Sequence, residues 1–395
     1  VSGAAGQMRR LAPVKILLVV DQFDLASNGT AISTRRFAVE LQRRGNEVRV
    51  LTTASDAPPA ELEAQDGIRR YLVPQLSLPG VNGIIRKQQV TLGRPVRPII
   101  VEAVQWAEVV HVTTPFWLGP AAGKAARELG VPATGAFHCQ AENITYNLGM
   151  GRFAPANWLV YAIQKRIWDK FGHVHCPSSF IAGELRRNRY RSKLHVVSNG
   201  VGPDFIYRKL PKSPELDGSF VITMIGRLSP EKRQDVLIEA VKRSRYSDRI
   251  QIMLAGTGPR RERLAKRGAS LARPPIIDFY SEQRLQQVLA MSDLYVHASD
   301  IEIEAISCIE AFASGLVPVI ANSKKSATPQ FALDERSLFA AGKPADLAAK
   351  IDYWIENSGE RRRMEARYAE AGLAYGLGRC VEQIENMFRE AISDG

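Results

Sequence analysis

The stretch 219-SFVITMIGRLSPEKRQDVLIEA-240 reads as an apolar, β-branched run ending at Gly226, followed by a segment with helical spacing. The same order appears at the start of the chain, where 15-KILLVVDQF-23 leads into 31-AISTRRFAVELQRRG-45, closed by Gly45, and then into 47-EVRVLTT-53. Further strands are expected at 108-EVVHVTT-114, 173-HVHCPS-178 and 194-LHVVSNG-200. The segment 209-KLPKSPELDG-218 has the Pro, Lys and Asp content of a linker, and after it the alternation restarts. It continues through 250-IQIMLAGTG-258, 276-IIDF-279, 294-LYVHAS-299 and 317-VPVIA-321. Alternation of this kind predicts an α/β protein with parallel sheets, built as two Rossmann-like domains over 1–205 and 206–375 joined near residue 210. In 378-GRCVEQIENMFREAIS-393, Val381, Ile384, Met387, Phe388 and Ile392 share one face. Residues 376–395 are therefore expected to form a terminal helix that packs on a domain, a return to the first domain being one option.

A chain of 395 residues is long enough for two such cores, and no apolar run approaches the roughly 20 residues of a membrane span. The opening VSGAAGQMRRLAP lacks an apolar core behind its basic pair, which argues against a secretory signal and for residence in the cytoplasm. Cys139, Cys176, Cys308 and Cys380 are far apart in sequence and form no C-x-x-C pair, so reduced thiols are expected rather than a zinc site or a disulfide framework. The net charge of +12 is uneven: residues 1–200 hold 25 Lys/Arg against 14 Asp/Glu, and residues 201–395 hold 28 against 27. The basic first half suits an anionic partner, a membrane surface or a nucleic acid, although a generally basic proteome would give the same bias. Nucleic-acid binding has nothing but net charge behind it and is not expected.

Three glycine sites follow strands. In 24-DLASNGT-30, Gly29 opens a helix where backbone N–H groups can approach an anion, though Asn28-Gly29 is also an ordinary turn. In 225-IGRLSPEKRQDVLIEA-240, Gly226 precedes Arg227 and Lys232, two cations at the start of a helix that Ser229 could cap and Pro230 could open. Glycine, charge and helix dipole agree there on a diphosphate clamp. The third, 256-GTG-258, is adequately explained as a tight turn.

The segment 298-ASDIEIEAISCIEAFASGLVPVIAN-322 places Asp300, Glu302, Glu304 and Glu310 in an otherwise apolar setting, with a helix expected over 307–315 and stopped by Gly315. Glu302 and Glu310 are separated by seven residues. With the AFASGLVPVI tail, this spacing resembles the E-x7-E signature of retaining glycosyltransferases of family 4, which have the GT-B fold of two domains facing across a cleft. The blocks 28-NGT-30, 199-NGV-201, 226-GRLSPEK-232, 254-LAGTGP-259 and E-x7-E stand in the family's order over nearly the whole chain. The resemblance implies that Arg227 and Lys232 neutralise the donor diphosphate, that Glu310 accepts the ribose hydroxyls, and that Glu302 faces the donor sugar. It further implies that Gly29 lies beneath the phosphates and that His138, in 135-GAFHCQAEN-143, sits near sugar and acceptor. Fixed cations stabilise the charge left on the departing phosphate, so no metal is required, and no D-x-D motif is present. Ile303, Glu304 and Ala305 depart from the family's frequent Gly-Phe-Gly, so either Glu304 reads a different sugar hydroxyl or the loop is reshaped. Read without the family, His138 is a buried histidine ending an apolar strand, and alternate acids at 300, 302 and 304 could hold a cation. His111 and His175 are expected to be structural.

Within 152-RFAPANWLVYAIQKRIWDKFG-172, Trp158, Tyr161, Ile167, Trp168 and Phe171 are interleaved with Arg152, Lys165, Arg166 and Lys170. This mixture suits an anionic membrane interface, and equally the packed face of a core helix. The segment 80-GVNGIIRKQQV-90 is a second interfacial candidate. The blocks 302-EIEAISCIEA-311 and 137-FHCQAENITYN-147 resemble those of diacylglycerol glucosyltransferases. The resemblance implies a peripheral membrane enzyme with no cofactor that moves a hexose, glucose from UDP-glucose, onto a lipid such as diacylglycerol. The other readings are the same donor chemistry on a soluble sugar or polyol, and a catalytically silent binder of membranes or polyanions.

Overall fold

A computed structural model describes residues 12–24, 29–54, 63, 65–77, 91–147 and 154–395. Strands β1 (Lys15–Val19), β2 (Glu47–Thr53), β3 (Arg69–Val73), β4 (Val109–Val112), β5 (Ala133–Ala136), β6 (His173–Cys176) and β7 (Lys193–Val196) form a parallel sheet in the order β3-β2-β1-β4-β5-β6-β7. A second parallel sheet has the order β10-β9-β8-β11-β12-β13. Its strands are β8 (Phe220–Ile225), β9 (Ile250–Ala255), β10 (Ile276–Asp278), β11 (Leu294–His297), β12 (Pro318–Asn322) and β13 (Leu338–Ala340). Both orders reverse beside their first strand, and in open α/β sheets ligands bind at that reversal, outside the carboxyl ends of the strands.

Three described strands carry no clear sequence signal, for different reasons. The edge strand β3 begins with two arginines. Arg70 is nevertheless buried, because it pairs with Asp24 at 2.8 Å and Asp66 at 2.7 Å. In β5 the run Ala133–Ala136 is made of small residues, since the Trp168 ring packs on the backbone there: a Cβ at Gly135 would lie 2.7 Å from it. The short edge strand β13 has only three residues in which to show a period.

The helix Leu377–Asp394 packs on the first domain. Val381, Ile384, Met387 and Phe388 share a core with Ile16, Leu18, Phe37 and Leu41, each of the four helix residues no more than 1% exposed. Burying a side chain of this size contributes at most about 1.5–3 kcal/mol, so the helix contributes substantially to the stability of elements at the opposite end of the chain. Polar contacts reinforce it: Glu385 accepts from Arg44 at 2.9 Å and from Arg389 at 2.8 Å. The segment after residue 205 is also held down. Tyr207 covers Gly315, whose φ is +81° and where a Cβ would fall 2.0 Å from the ring. Lys212 bonds to Asp293 at 2.6 Å, so the linker composition marks a chain laid along the second domain. No helix among the described residues is long and apolar enough to cross a membrane.

Candidate active site

A cavity of about 920 Å³ lies between the sheets. Its walls include Gly29, Arg36 and His138 from the first domain and Gly226, Arg227, Lys232, Glu302, Glu304 and Glu310 from the second. Every donor-side residue named from the sequence therefore reaches one space.

The second-domain wall is built from loops at the carboxyl ends of β8, β9 and β11. Gly226 has φ +146°, and the Lys232 stem lies over it, with Cδ 3.7 Å from where a Cβ would be. Gly256 and Gly258 do more than turn the chain. A Cβ at either would strike the 226–228 loop, 2.2 Å from the Gly226 carbonyl and 2.6 Å from that of Leu228. The helix expected from Pro230 onward starts later: Pro230–Lys232 is a single 3-10 turn, Arg233 takes left-handed φ 55°, and the helix is Gln234–Val241. Ser229 accordingly does not cap it, and its hydroxyl bonds to Glu231 instead. Arg233 is fixed in this conformation by Asp300 at 2.8 Å, and Lys232 is thereby set on the cavity wall.

The four acids of the 298–322 stretch have four different partners. Asp300 binds Arg233. Glu302 bonds to Lys232 and, at 3.1 Å, to the buried His297. Against the burial that would raise it, Lys232 and His297 hold the Glu302 carboxyl well below the ordinary carboxylate range. Glu304 turns to the chain crossing between domains, where it accepts from the Asn199 backbone N–H at 3.1 Å and from Asn199 Nδ2 at 2.6 Å. Burial pushes its carboxyl up to about 7 despite those donors. Glu310 pairs with Arg36 at 2.8 Å. Burial raises its carboxyl too, and the Arg36 charge offsets part of that rise. With each acid aimed at its own partner, the alternate carboxylates do not converge on a shared cation.

The Ile303-Glu304-Ala305 loop is tied to the first domain and still lines the cavity. The Ile303 carbonyl accepts from Ser178 at 2.6 Å, and its side chain packs on the first domain's core. Ala305 then takes φ 71°, a left-handed conformation that costs a residue with a Cβ roughly 1–2 kcal/mol.

On the first-domain wall His138 stacks edge-on against His175, with ring centroids 5.4 Å apart. Burial and the neighbouring His175 lower its pKa to about 3, so His138 is neutral at physiological pH. His111 bonds to Thr134 at 2.8 Å and His175 to the Val197 carbonyl at 2.7 Å, both inside the sheet. Arg36, Glu282 and His297 carry no sequence expectation, and Asn199 entered only as part of the 199-NGV-201 block, with no role assigned. For Arg36 the available signal was an arginine about two turns into the helix Gly29–Arg43, the helix that the glycine loop opens.

The aromatic-basic helix Ala154–Trp168 divides into two faces. Trp158 is 68% exposed, and Leu159 and Ile163 are exposed beside it, whereas Tyr161 and Trp168 are buried. Trp168, at 1% exposure against Phe137 and Phe171, is a core residue and cannot belong to an interfacial face. Lys165 is half-buried, bonded to Asp169 and set over the Tyr190 ring, so it too is turned from solvent. Arg166 and Lys170 are exposed. Arg152 and the 80–90 segment lie outside the described residues.

Comparison with known proteins agrees with this architecture. Residues 27–205 match the Glycosyltransferase Family 4 model and residues 207–371 the model for Glycosyl transferases group 1. A GDP-mannose-dependent alpha-mannosyltransferase of Mycolicibacterium smegmatis is 29% identical over 78% of this chain and 79% of its own length. An alpha-monoglucosyldiacylglycerol synthase of Streptococcus pneumoniae is 25% identical over 78% of this chain and 71% of its own. Anabaena HepE, solved with UDP-glucose, shares the fold, with a TM-score of 0.73 at 17% identity over 95% of this chain and 100% of that one. Two matched domains in this order, on two doubly wound sheets that enclose one charged cavity, mean that the chain belongs to glycosyltransferase family 4 and has the GT-B fold.

Proposed function

We propose that this glycosyltransferase moves a hexose from a nucleoside diphosphate donor to a lipid hydroxyl at an anionic membrane surface, with retention at the anomeric carbon. The donor's bond between the anomeric carbon and phosphate oxygen breaks, the nucleoside diphosphate leaves with the electron pair, and the acceptor oxygen bonds on the same face. The acceptor's proton passes to the departing phosphate oxygen. Arg227 and Lys232 meet the charge that develops there, and fixed cations in a water-poor cleft are worth more than the same charges in water. They supply this charge without a bridging metal. Glu310 receives the ribose hydroxyls, Gly29 lies beneath the phosphates, and neutral His138 sits beside the sugar. Glu302 orients Lys232 and faces the sugar from the same wall. The observation that carries the reading is the sharing of one cavity by Arg227, Lys232, Glu302 and Glu310 with Gly29 and His138 of the opposite domain.

A lipid acceptor such as diacylglycerol is supported by the exposed Trp158, Leu159 and Ile163 beside Arg166 and Lys170, and by the similarity to diacylglycerol glucosyltransferases. UDP-glucose is the donor of this reading. The identity of 29% to GDP-mannose-dependent enzymes favours a second reading, GDP-mannose as donor on the same residues. The deciding experiment measures nucleotide release from UDP-glucose, GDP-mannose and related donors, with and without vesicles containing diacylglycerol and anionic lipid. Release from UDP-glucose that requires vesicles and yields a glycolipid supports the first reading. Release from GDP-mannose alone transfers it to the second, and release without vesicles replaces the lipid by a soluble acceptor.

A further inference from the structure

On the side of the first sheet away from the cavity, at the amino end of β6, two imidazole nitrogens face each other. His173 Nδ1 lies 2.9 Å from His195 Nε2. The other nitrogen of His173, Nε2, is 3.1 Å from Asp394 Oδ2 and donates to that carboxylate. Its Nδ1 is therefore a lone pair directed at His195. Glu390 Oε2 lies 3.9 Å from the same His195 Nε2, beyond hydrogen-bond reach but close enough that one divalent cation could take all three atoms as ligands.

We propose that His173, His195 and Glu390 form a metal site for a zinc-class divalent ion, one that clamps the helix Leu377–Asp394 to β6 and β7. The three ligand atoms lie within 4.8 Å of one another, and among the described residues this is the one grouping of its kind. Two imidazoles and a carboxylate suit zinc, cobalt or nickel rather than magnesium or calcium, which prefer oxygen ligands throughout. The Asp394 contact has the arrangement expected around a ligating histidine, whose far N–H is held by a carboxylate that fixes the tautomer and raises the basicity of the ligating nitrogen. Lys193 bonds to the other oxygen, Glu390 Oε1, and leaves Oε2 free to turn toward the histidines. The burial is graded, with His173 at 6%, His195 at 15% and Glu390 at 34% side-chain exposure, so an ion could enter from the Glu390 side while solvent completes its coordination.

This inference is independent of donor and acceptor. The full chain is stripped with a chelator, dialysed, and titrated with zinc, then with cobalt. One equivalent of zinc should bind, and at a hundredfold excess over its Kd the thermal midpoint should rise by roughly 3–5 °C. Cobalt should give the visible absorption of a four- or five-coordinate nitrogen-oxygen site. His195→Gln should abolish the stoichiometric binding, and Asp394→Asn, on an exposed residue that leaves the ligands intact, should weaken it about tenfold. Variants are compared only after their metal-free circular dichroism matches that of the parent. If no ion binds with unit stoichiometry, or if zinc binds the His195→Gln and Asp394→Asn variants as it binds the parent, the proposal is overturned.

Discussion

Arg36 Nη2 lies 2.8 Å from Glu310 Oε1 and 3.4 Å from Glu282 Oε1, so a cation from the first domain occupies the carboxylate assigned to the donor ribose. The pair is nearly buried, with 13% and 8% side-chain exposure. Against its own burial, the two glutamates keep Arg36 protonated. On the proposed reading, ribose hydroxyls and Arg36 are alternative donors to Glu310, so nucleotide binding has to displace or share this contact.

The prediction concerns Arg36→Gln. Without ligand it should lose about 2 kcal/mol, because a buried carboxylate is left without its cation. Saturating UDP should restore part of the loss, since hydroxyl donors then satisfy Glu310. Thermal unfolding of parent and variant, with and without UDP, gives the comparison. An equal loss in both states would show that Arg36 and the nucleotide do not compete. By calorimetry Glu310→Ala should weaken UDP binding by a larger factor than it lowers kcat in a separate turnover assay.

Arg227→Ala and Lys232→Ala should each cost about 2–4 kcal/mol of transition-state stabilisation, a hundredfold or more in kcat. Lys232→Ala has a second consequence, because Glu302 keeps only His297 as a partner and its carboxyl should rise toward the ordinary range. The pH profile of Lys232→Ala should therefore lose activity at a higher pH on the acid side than that of Arg227→Ala. Unchanged kcat in both variants would take them out of the chemistry.

How legible this was from the sequence depended on whether the information was local. Strand β2 is Glu47–Thr53, as its apolar, β-branched run indicates, and Glu302 and Glu310, which the resemblance to E-x7-E singles out, both line the cavity. What could not be read was long-range. The run Ala133–Ala136 is a strand because it pairs with β4 and β6, and it is made of small residues because Trp168, more than 30 residues on, packs over Gly135. Trp168 looked interfacial because its charged neighbours shared its stretch, but a helix assigns neighbours to opposite faces, and only the position of the sheet decides which face is buried. The partner of Glu310 is 274 positions away in another domain, and no periodicity encodes such a pair.

Glu304 should make stability depend on pH in a definite direction. Burial raises its carboxyl from 4.5 to about 7, so between those values the folded protein keeps a proton that the unfolded chain has released. Its contribution is thus complete below about pH 4.5, falls as pH rises to about 7, and is on the order of 3 kcal/mol across that window. Glu304→Gln keeps an acceptor for Asn199 and carries no charge. Denaturant unfolding at pH 5, 6, 7 and 8 should show the variant gaining on the parent with each step and more stable at pH 8. Parallel curves for the two proteins would mean that Glu304 is ionised throughout.

The helix Ala154–Trp168 yields a prediction that separates its two faces. If the exposed face meets a membrane, replacing Trp158, Leu159 and Ile163 together by Ser should remove most sedimentation with anionic vesicles and leave the unfolding midpoint nearly unchanged, because these side chains are already in water. Neutralising Arg166 and Lys170 should weaken binding by about 1 kcal/mol per charge and make the remainder insensitive to salt. Trp168→Ala should do the reverse: about 3–5 kcal/mol of stability is lost through the cavity beside Gly135 and Phe137, while the folded fraction still binds vesicles. A triple variant that sediments like the parent would leave the exposed face without a membrane role, and the acceptor would then have to be sought among soluble hydroxyl compounds.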